Sequence, residues 1–249
     1  MLSAGPALQG RLFFYTFERS PAIIHQIALF IMRALFIVKM VVCLIVLFAA
    51  NSPVSAQVRY GFRAGFNLAN VAAKPDPDPN TKMQPTFQAG MIFDIPAGKH
   101  VTVQPGLMLV GKGFRYTFDF FGESITATSN PMYLQIPISL MYQNSQVYLG
   151  AGPYVGLGVF GKTKAKSGGQ TSSENIAFGN GGGDNYGPFD LGLNIEAGVK
   201  LSGTMRAGIG YGLGLANALP EPYRSSESAV RHRVLSFNLT YLPARKKKQ

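Results

Sequence analysis

The chain has 249 residues, of which 47% are hydrophobic and only 14% charged, and its mean hydropathy is +0.12. Ordinary soluble domains carry about 25% charged residues, and a bundle of membrane helices would be far more apolar, so the apolar residues are either gathered in one segment or spread by alternation. The net charge of +11 raises nucleic acid as a partner, but the basic residues are scattered apart from Arg245-Lys246-Lys247-Lys248. That run reads as a solvated tail over residues 244–249, and no nucleic-acid partner is expected.

Residues 32–56 have the three parts of a secretory signal. Arg33 and Lys39 give a basic start, Met40–Ala50 is uninterruptedly apolar, and Asn51-Ser52-Pro53 breaks any helix before the small residues Val54-Ser55-Ala56. The apolar run is short against the ~20 residues of a membrane-spanning helix. Cleavage is expected between Ala56 and Gln57, with residues 1–31 an extended or misassigned start before Met32. The alternative is an uncleaved anchor helix from near Ile23. The single cysteine, Cys43, lies in this run, so the mature chain has no disulfide and no cysteine-ligated metal.

Beyond Gln57 the pattern changes to period two, which puts one apolar and one polar face on a strand. Eight segments show it. They are 59–68, 86–95, 101–109, 132–140, 147–157, 189–200, 206–215 and 235–241. The sixth is the clearest, with Phe189, Leu191, Leu193, Ile195, Ala197 and Val199 opposing Asp190, Gly192, Asn194, Glu196, Gly198 and Lys200. Segments of roughly 10 residues suit tilted strands that cross an outer membrane, and an even number closes a barrel without edges. Short connections near 97–99, 143–145 and 202–204 alternate with long ones near 71–85, 117–130, 161–187 and 216–229. Tight turns belong to the periplasm and long loops to the outside. The loop 161–187 carries Gly168-Gly169 and Gly181-Gly182-Gly183 and is expected to be mobile.

The expected fold is therefore all-β, an eight-stranded antiparallel transmembrane barrel over 57–243, in the bacterial outer membrane. A soluble lipocalin-like ligand carrier would alternate the same way with its apolar face inward. Three features favour the membrane arrangement. Glycines such as Gly150, Gly152, Gly208 and Gly210 crowd the polar face, as a narrow lumen requires. Aromatics mark both ends of the apolar face, with Tyr60, Phe93, Tyr142 and Tyr241 at one and Phe66, Phe87 and Phe189 at the other. The strand length gives an apolar band about 25 Å tall.

Several segments, in order, carry a further likeness. They are Gly61-Phe62-Arg63-Ala64-Gly65-Phe66-Asn67-Leu68-Ala69, Gln104-Pro105-Gly106-Leu107 through Lys112-Gly113, Tyr133-Leu134-Gln135-Ile136-Pro137, Tyr148-Leu149-Gly150-Ala151-Gly152-Pro153-Tyr154, and Asp190-Leu191-Gly192-Leu193. Together they resemble the outer-membrane β-barrel domains typified by PorT-family proteins, over nearly all of 57–243. The resemblance implies an eight-stranded barrel, mostly without assigned biochemistry.

The polar face supplies a lumen set of Arg59, Arg63, Gln88, Asp94, Gln104, Lys112, Asp190, Glu196, Lys200 and Arg206. Charges at membrane depth are costly unless paired. The set is expected to plug the barrel by salt bridges, with Arg63 near Asp94 and Glu196 near Arg206 or Lys200; the alternative is a narrow ion path. Arg115, Arg231 and Arg233 fall on the outward face near the outer strand ends, where an arginine fork suits the phosphates of lipopolysaccharide. Outer-membrane lipid and a surface or secretion protein are the other expected partners. Catalysis has thin support. His232 with Ser225, Ser226 or Ser228 would serve a barrel hydrolase or acyltransferase, and His100 sits in a turn. Gly181-Gly182-Gly183-Asp184 is one copy of a calcium-like unit, and one copy is no repeat. No catalytic residue, cofactor or metal is expected.

Overall fold

The computed structural model describes residues 58–74, 81–120, 123–225 and 227–244. The expected signal peptide and cleavage point, and the basic run 245–248, lie outside the described residues. The described chain is all-β, with eleven strands: β1 (Arg59–Lys74), β2 (Thr81–Lys82), β3 (Gln84–Pro96), β4 (Val101–Gly111), β5 (Phe114–Phe120), β6 (Glu123–Gln143), β7 (Val147–Ser167), β8 (Gln170–Asn175), β9 (Phe189–Lys200), β10 (Met205–Gly214) and β11 (Ala229–Tyr241). Among the described residues no helix is long and apolar enough to cross a membrane, which says nothing of crossing by strands.

Eight of these strands close a ring in the order β1-β3-β4-β6-β7-β9-β10-β11, and β11 returns to pair with β1. Every neighbour is antiparallel. Closure satisfies the backbone groups that lipid cannot. All eight alternating segments become ring strands. The register also fixes the faces. Ala64, Ala89, Leu109, Leu134 and Leu157 form one outward row on successive strands. Tyr60, Phe66, Phe87, Tyr142, Phe189 and Tyr241 are exposed on that side, while Phe93 is half-buried. Leu191, Leu193 and Ile195 stand 49%, 42% and 54% exposed, whereas Asp190 and Glu196 beside them are buried. Moving each such large apolar side chain from water into acyl chains stabilises by about 1.5–3 kcal/mol.

The lumen is narrow enough for single side chains to fill it. Tyrosines do much of the filling, each over glycines. A Cβ at Gly192 would lie 2.6 Å from Tyr154 Oη, and one at Gly198 2.6 Å from Tyr148 Oη. An apolar lumen patch joins Ile92, Met108 and Val110 to Leu242 of the C-terminal stretch.

Two of the four expected long loops are largely strand. Residues 117–120 and 123–130 lie in the paired strands β5 and β6, and β7 runs on to pair with β8. Above the ring, β2, β5, β6, β7 and β8 thus rise as one sheet. Gly113, at φ 127°, separates β4 from β5, a backbone conformation that side-chain-bearing residues resist. Lys112 N donates there to Pro131 O at 2.9 Å. A bulge on β7 changes which face its upper residues present. Met132 opposes Phe160 but Tyr133 opposes Gly158, so Val159 is an extra residue. Outward positions on β7 therefore change from odd to even at Phe160. Residues 176–188 are held rather than loose: Ile176, Tyr186 and Ala218 are buried together, with Phe178 and Val230 against them.

Candidate functional site

Three ion pairs cross the lumen, each joining strands three places apart around the ring or nearly so. Nearest the short turns, Arg206 Nη2 on β10 donates to Asp94 Oδ2 on β3 at 2.7 Å, and Gln104 Nε2 donates to Asp94 Oδ1 at 2.5 Å. Next, Arg63 on β1 grips Glu196 on β9 with both amino groups, Nη1 to Oε2 at 2.7 Å and Nη2 to Oε1 at 3.1 Å. Its remaining donors reach Gln104 Oε1 at 2.9 Å and Thr240 Oγ1 at 3.0 Å. Toward the long connections, Lys112 Nζ, just past the end of β4, pairs with Asp190 Oδ2 on β9, both 2% exposed. Tyr154 Oη donates to the same oxygen at 3.1 Å, and the ammonium lies 4.3 Å from the Tyr154 ring centroid. Between the second and third pairs is a polar cavity of about 60 Å³, lined among others by Gln88, Ser236 and Asn238. A water occupies ~30 Å³ of liquid, so this is room for a few waters.

These partners differ from the expected ones, and the register says why. β1 against β3 sets Asp94 opposite Arg59 and puts Gly90 opposite Arg63. β9 against β10 sets Glu196 opposite Gly210 and Lys200 opposite Arg206. Groups four residues apart along a strand are about 13 Å apart, beyond ion-pair reach, whereas the far wall of a narrow barrel is within it. Two members of the set lie elsewhere. Arg59 donates to the carbonyls of Gly203, Leu242 and Pro243, and Lys200 Nζ to Asn144 O at 2.5 Å. Both line an open bowl of about 390 Å³ at the short-turn mouth, together with Lys99 and His100. His100 is exposed, with Nδ1 3.2 Å from Gln143 O.

Above Lys112 the mouth is capped. Residues 176–188 fold over it, and Tyr186 stacks on His232 at 6.0 Å while its hydroxyl lies 2.8 Å from Ser129 Oγ. Burial pushes the Tyr186 phenol up to about 12, and the Ser129 hydrogen bond opposes that rise. Phe178 meets Tyr133 edge-on at 5.5 Å, in the space a side chain on Gly158 would take. His232 is buried at 1% exposure, and its Nε2 is 3.3 Å from Tyr133 Oη. No serine hydroxyl hydrogen-bonds either of its ring nitrogens among the described residues. Ser225 is exposed in a turn closed with Ser228, and Ser226 lies outside the described residues. With Ser225 and Ser228 the considered His–Ser pair does not form. Asp184 Oδ2 accepts from Gly181 N at 2.7 Å, so that carboxylate closes a turn.

Sequence reasoning misses the lumen tyrosines and the cap. The tyrosines carry a signal, since Tyr133, Tyr148 and Tyr154 interrupt the polar face. The cap carries none, because Phe178 and Tyr186 sit in a segment without periodicity.

The outward arginines split into two groups. Arg231 and Arg233, on β11, bond backbone: Arg231 Nε to Leu215 O at 3.2 Å and Arg233 Nη1 to Gly214 O at 2.7 Å. Arg115, on β5, is on the other side of the ring. Its row reads Lys82, Arg115, Thr128, Lys164 and Ser173 across five strands. Lys162 and Lys166 stand two residues to either side on β7.

A closed antiparallel ring with an apolar outside and an ionised, tyrosine-filled inside defines an outer-membrane β-barrel. The profile of the family described as "Outer membrane protein beta-barrel domain" matches residues 48–219, and the chain belongs to that family. Among solved structures it is similar to Ail, the attachment invasion locus protein of Yersinia pestis, at 13% identity and a TM-score of 0.39, covering 74% of this chain and 98% of that one. It is also similar to Neisserial surface protein A at 12% identity and TM-score 0.38, covering 73% and 96%. The outer membrane protein OprG from Pseudomonas aeruginosa gives 10% identity and TM-score 0.32, covering 76% and 98%. No curated protein matches.

Proposed function

We propose that this outer-membrane barrel is non-enzymatic and non-conducting, and that its role is structural or one of interaction through the sheet and loops it raises above the ring. The observation that carries this reading is the stack of cross-lumen ion pairs, closed at the outer end by Phe178, Tyr186 and Tyr133. Ions would need a continuous aqueous path, and the central cavity of about 60 Å³ holds only a few waters. The non-enzymatic half is supported by His232, which is turned into the lumen toward Tyr133 rather than toward a nucleophile.

Within the family, the ordered motifs from Gly61–Ala69 to Asp190–Leu193 support a PorT-like member, exported by residues 1–56 and cut between Ala56 and Gln57. Its environment is outer-membrane lipid and lipopolysaccharide, with a surface or secretion protein as the further partner. Purified mature protein in planar bilayers tests the plug. The expectation is a bilayer without steady open-channel steps, and long-lived ohmic steps would overturn it. A lipase assay on the detergent-solubilised barrel, with His232→Ala as control, tests the enzyme alternative; no turnover is expected.

A further inference from the structure

The outward face of the raised sheet is basic where it leaves the apolar band. Phe160, 56% exposed, is the last large apolar residue of β7 on that face. After it the outward positions are Lys162, Lys164 and Lys166, all exposed. The bulge at Val159 fixes this side, because the intervening Gly161 faces inward, where a Cβ would meet Ile176. Two strands further round, Arg115 is in register with Lys164 across Thr128, and Lys82 is directly opposite Arg115. The positions between them are Thr126, Thr128 and Asn130 on β6, and Thr171, Ser173 and Asn175 flank the lysines on β8. These are hydroxyls and amides that donate hydrogen bonds.

The arrangement costs stability on its own. Like charges directly opposite on paired strands repel, as Lys82 and Arg115 do. Among the described residues no carboxylate ion-pairs with any of these five cations, and the one acid sharing their face on β5 is Asp119, four residues beyond Arg115. Arg115 Nε is shut from solvent without a hydrogen-bond partner. Phosphates set along the row would neutralise it.

Height selects the source of those phosphates. Two residues of antiparallel strand rise ~7 Å along the strand and ~5 Å along the normal once tilted by about 40°. Lys162 is thus at the edge of the hydrocarbon, with Lys164 and Lys166 in the next two steps outward. That is the layer of the lipid headgroups. We propose that Lys162, Lys164, Lys166, Arg115 and Lys82 form a clamp for the phosphates of one lipid A headgroup in the outer leaflet. This rests on the outer-membrane reading above but not on the plug.

The test uses the full mature barrel in phosphatidylcholine nanodiscs, with intact folding checked by heat-dependent gel mobility. Binding is measured for bisphosphorylated lipid A and for lipid A stripped of phosphate. The wild type is expected to prefer the bisphosphorylated form at least tenfold. Lys162→Gln/Lys164→Gln/Lys166→Gln is expected to lose about that factor, and Arg231→Gln/Arg233→Gln to stay within twofold. Arg115→Gln alone, which leaves β7 untouched, is expected to lose severalfold. Equal binding of the two lipids, or a triple variant that binds like wild type while folded, overturns the proposal. So does a lysine-dependent affinity found only for a soluble sulfated polysaccharide. Failure to enter nanodiscs as a heat-modifiable barrel would instead refute the outer-membrane reading, and channel steps would refute only the plug.

Discussion

Glu196→Leu removes the acceptor of both Arg63 amino groups and leaves a leucine of similar reach in the lumen. Arg63 cannot shed its charge. It keeps only the Gln104 and Thr240 oxygens, both neutral. At an effective dielectric of 20, two unit charges about 4 Å apart attract by ~4 kcal/mol, and stripping one partner from a buried pair costs ~3–5 kcal/mol. Because Arg63 keeps those two acceptors and borders the polar cavity, the loss should fall at the lower end of that range, ~3 kcal/mol. Replacing both, as Arg63→Leu/Glu196→Leu, removes the stranded charge and should recover most of the loss, ending within ~1–2 kcal/mol of wild type. The assay is urea unfolding of barrels in lipid vesicles, read as the fraction with folded gel mobility. For a slope of ~2 kcal/mol per molar urea, the single variant's midpoint falls by ~1.5 M and the double variant's by less than ~1 M. Additive losses in the double variant, or a single variant within ~0.5 kcal/mol of wild type, would mean that bulk water reaches Arg63, and the sealed-lumen reasoning would fail.

The outer cap gives two further expectations. Gly158→Val drives a side chain into the Phe178 ring and should cost ~1–3 kcal/mol, with faster protease cleavage inside 176–188. Adding Phe178→Ala should contribute no further loss, because both changes remove one contact; a fully additive double variant would refute the fit. Tyr186 is raised from 10.0 to about 12 by burial, so the neutral phenol is the form the fold favours. Its contribution is present in full below pH 10 and is lost as pH rises toward 12. Protease protection of the cap should follow that window, and Tyr186→Phe should remove the dependence.

The ring was legible because alternation is a property of single strands. Leu191, Leu193 and Ile195 against Asp190, Asn194 and Glu196 declare two faces without any knowledge of neighbours, and glycine on the polar face tells which side is cramped. Cross-lumen partners are a property of register and curvature together. Nothing in the spacing of Arg63 and Glu196 says that β1 and β9 face one another, and strand adjacency pointed to the wrong pairs. The raised sheet was hidden for a simpler reason. Thr, Ser, Lys and Gly fill much of 123–131 and 161–175, and their polarity reads as loop once both faces are in water. Lys162, Lys164 and Lys166 nonetheless repeat every second residue, the one local sign that β7 continues. The bulge at Val159 shifts that repeat onto the outward face, and no residue type announces it.

Spin labels scanned singly along residues 191–196 of the vesicle-embedded mature barrel, which has no cysteine of its own, measure sidedness directly. Labels at positions 191, 193 and 195 should be open to dissolved oxygen and closed to a water-soluble nickel chelate, with positions 192, 194 and 196 closed to both. The opposite phase, with 192, 194 and 196 facing oxygen-rich lipid or 191, 193 and 195 facing water, would contradict a barrel that turns its leucines to the membrane and its ion pairs to the lumen.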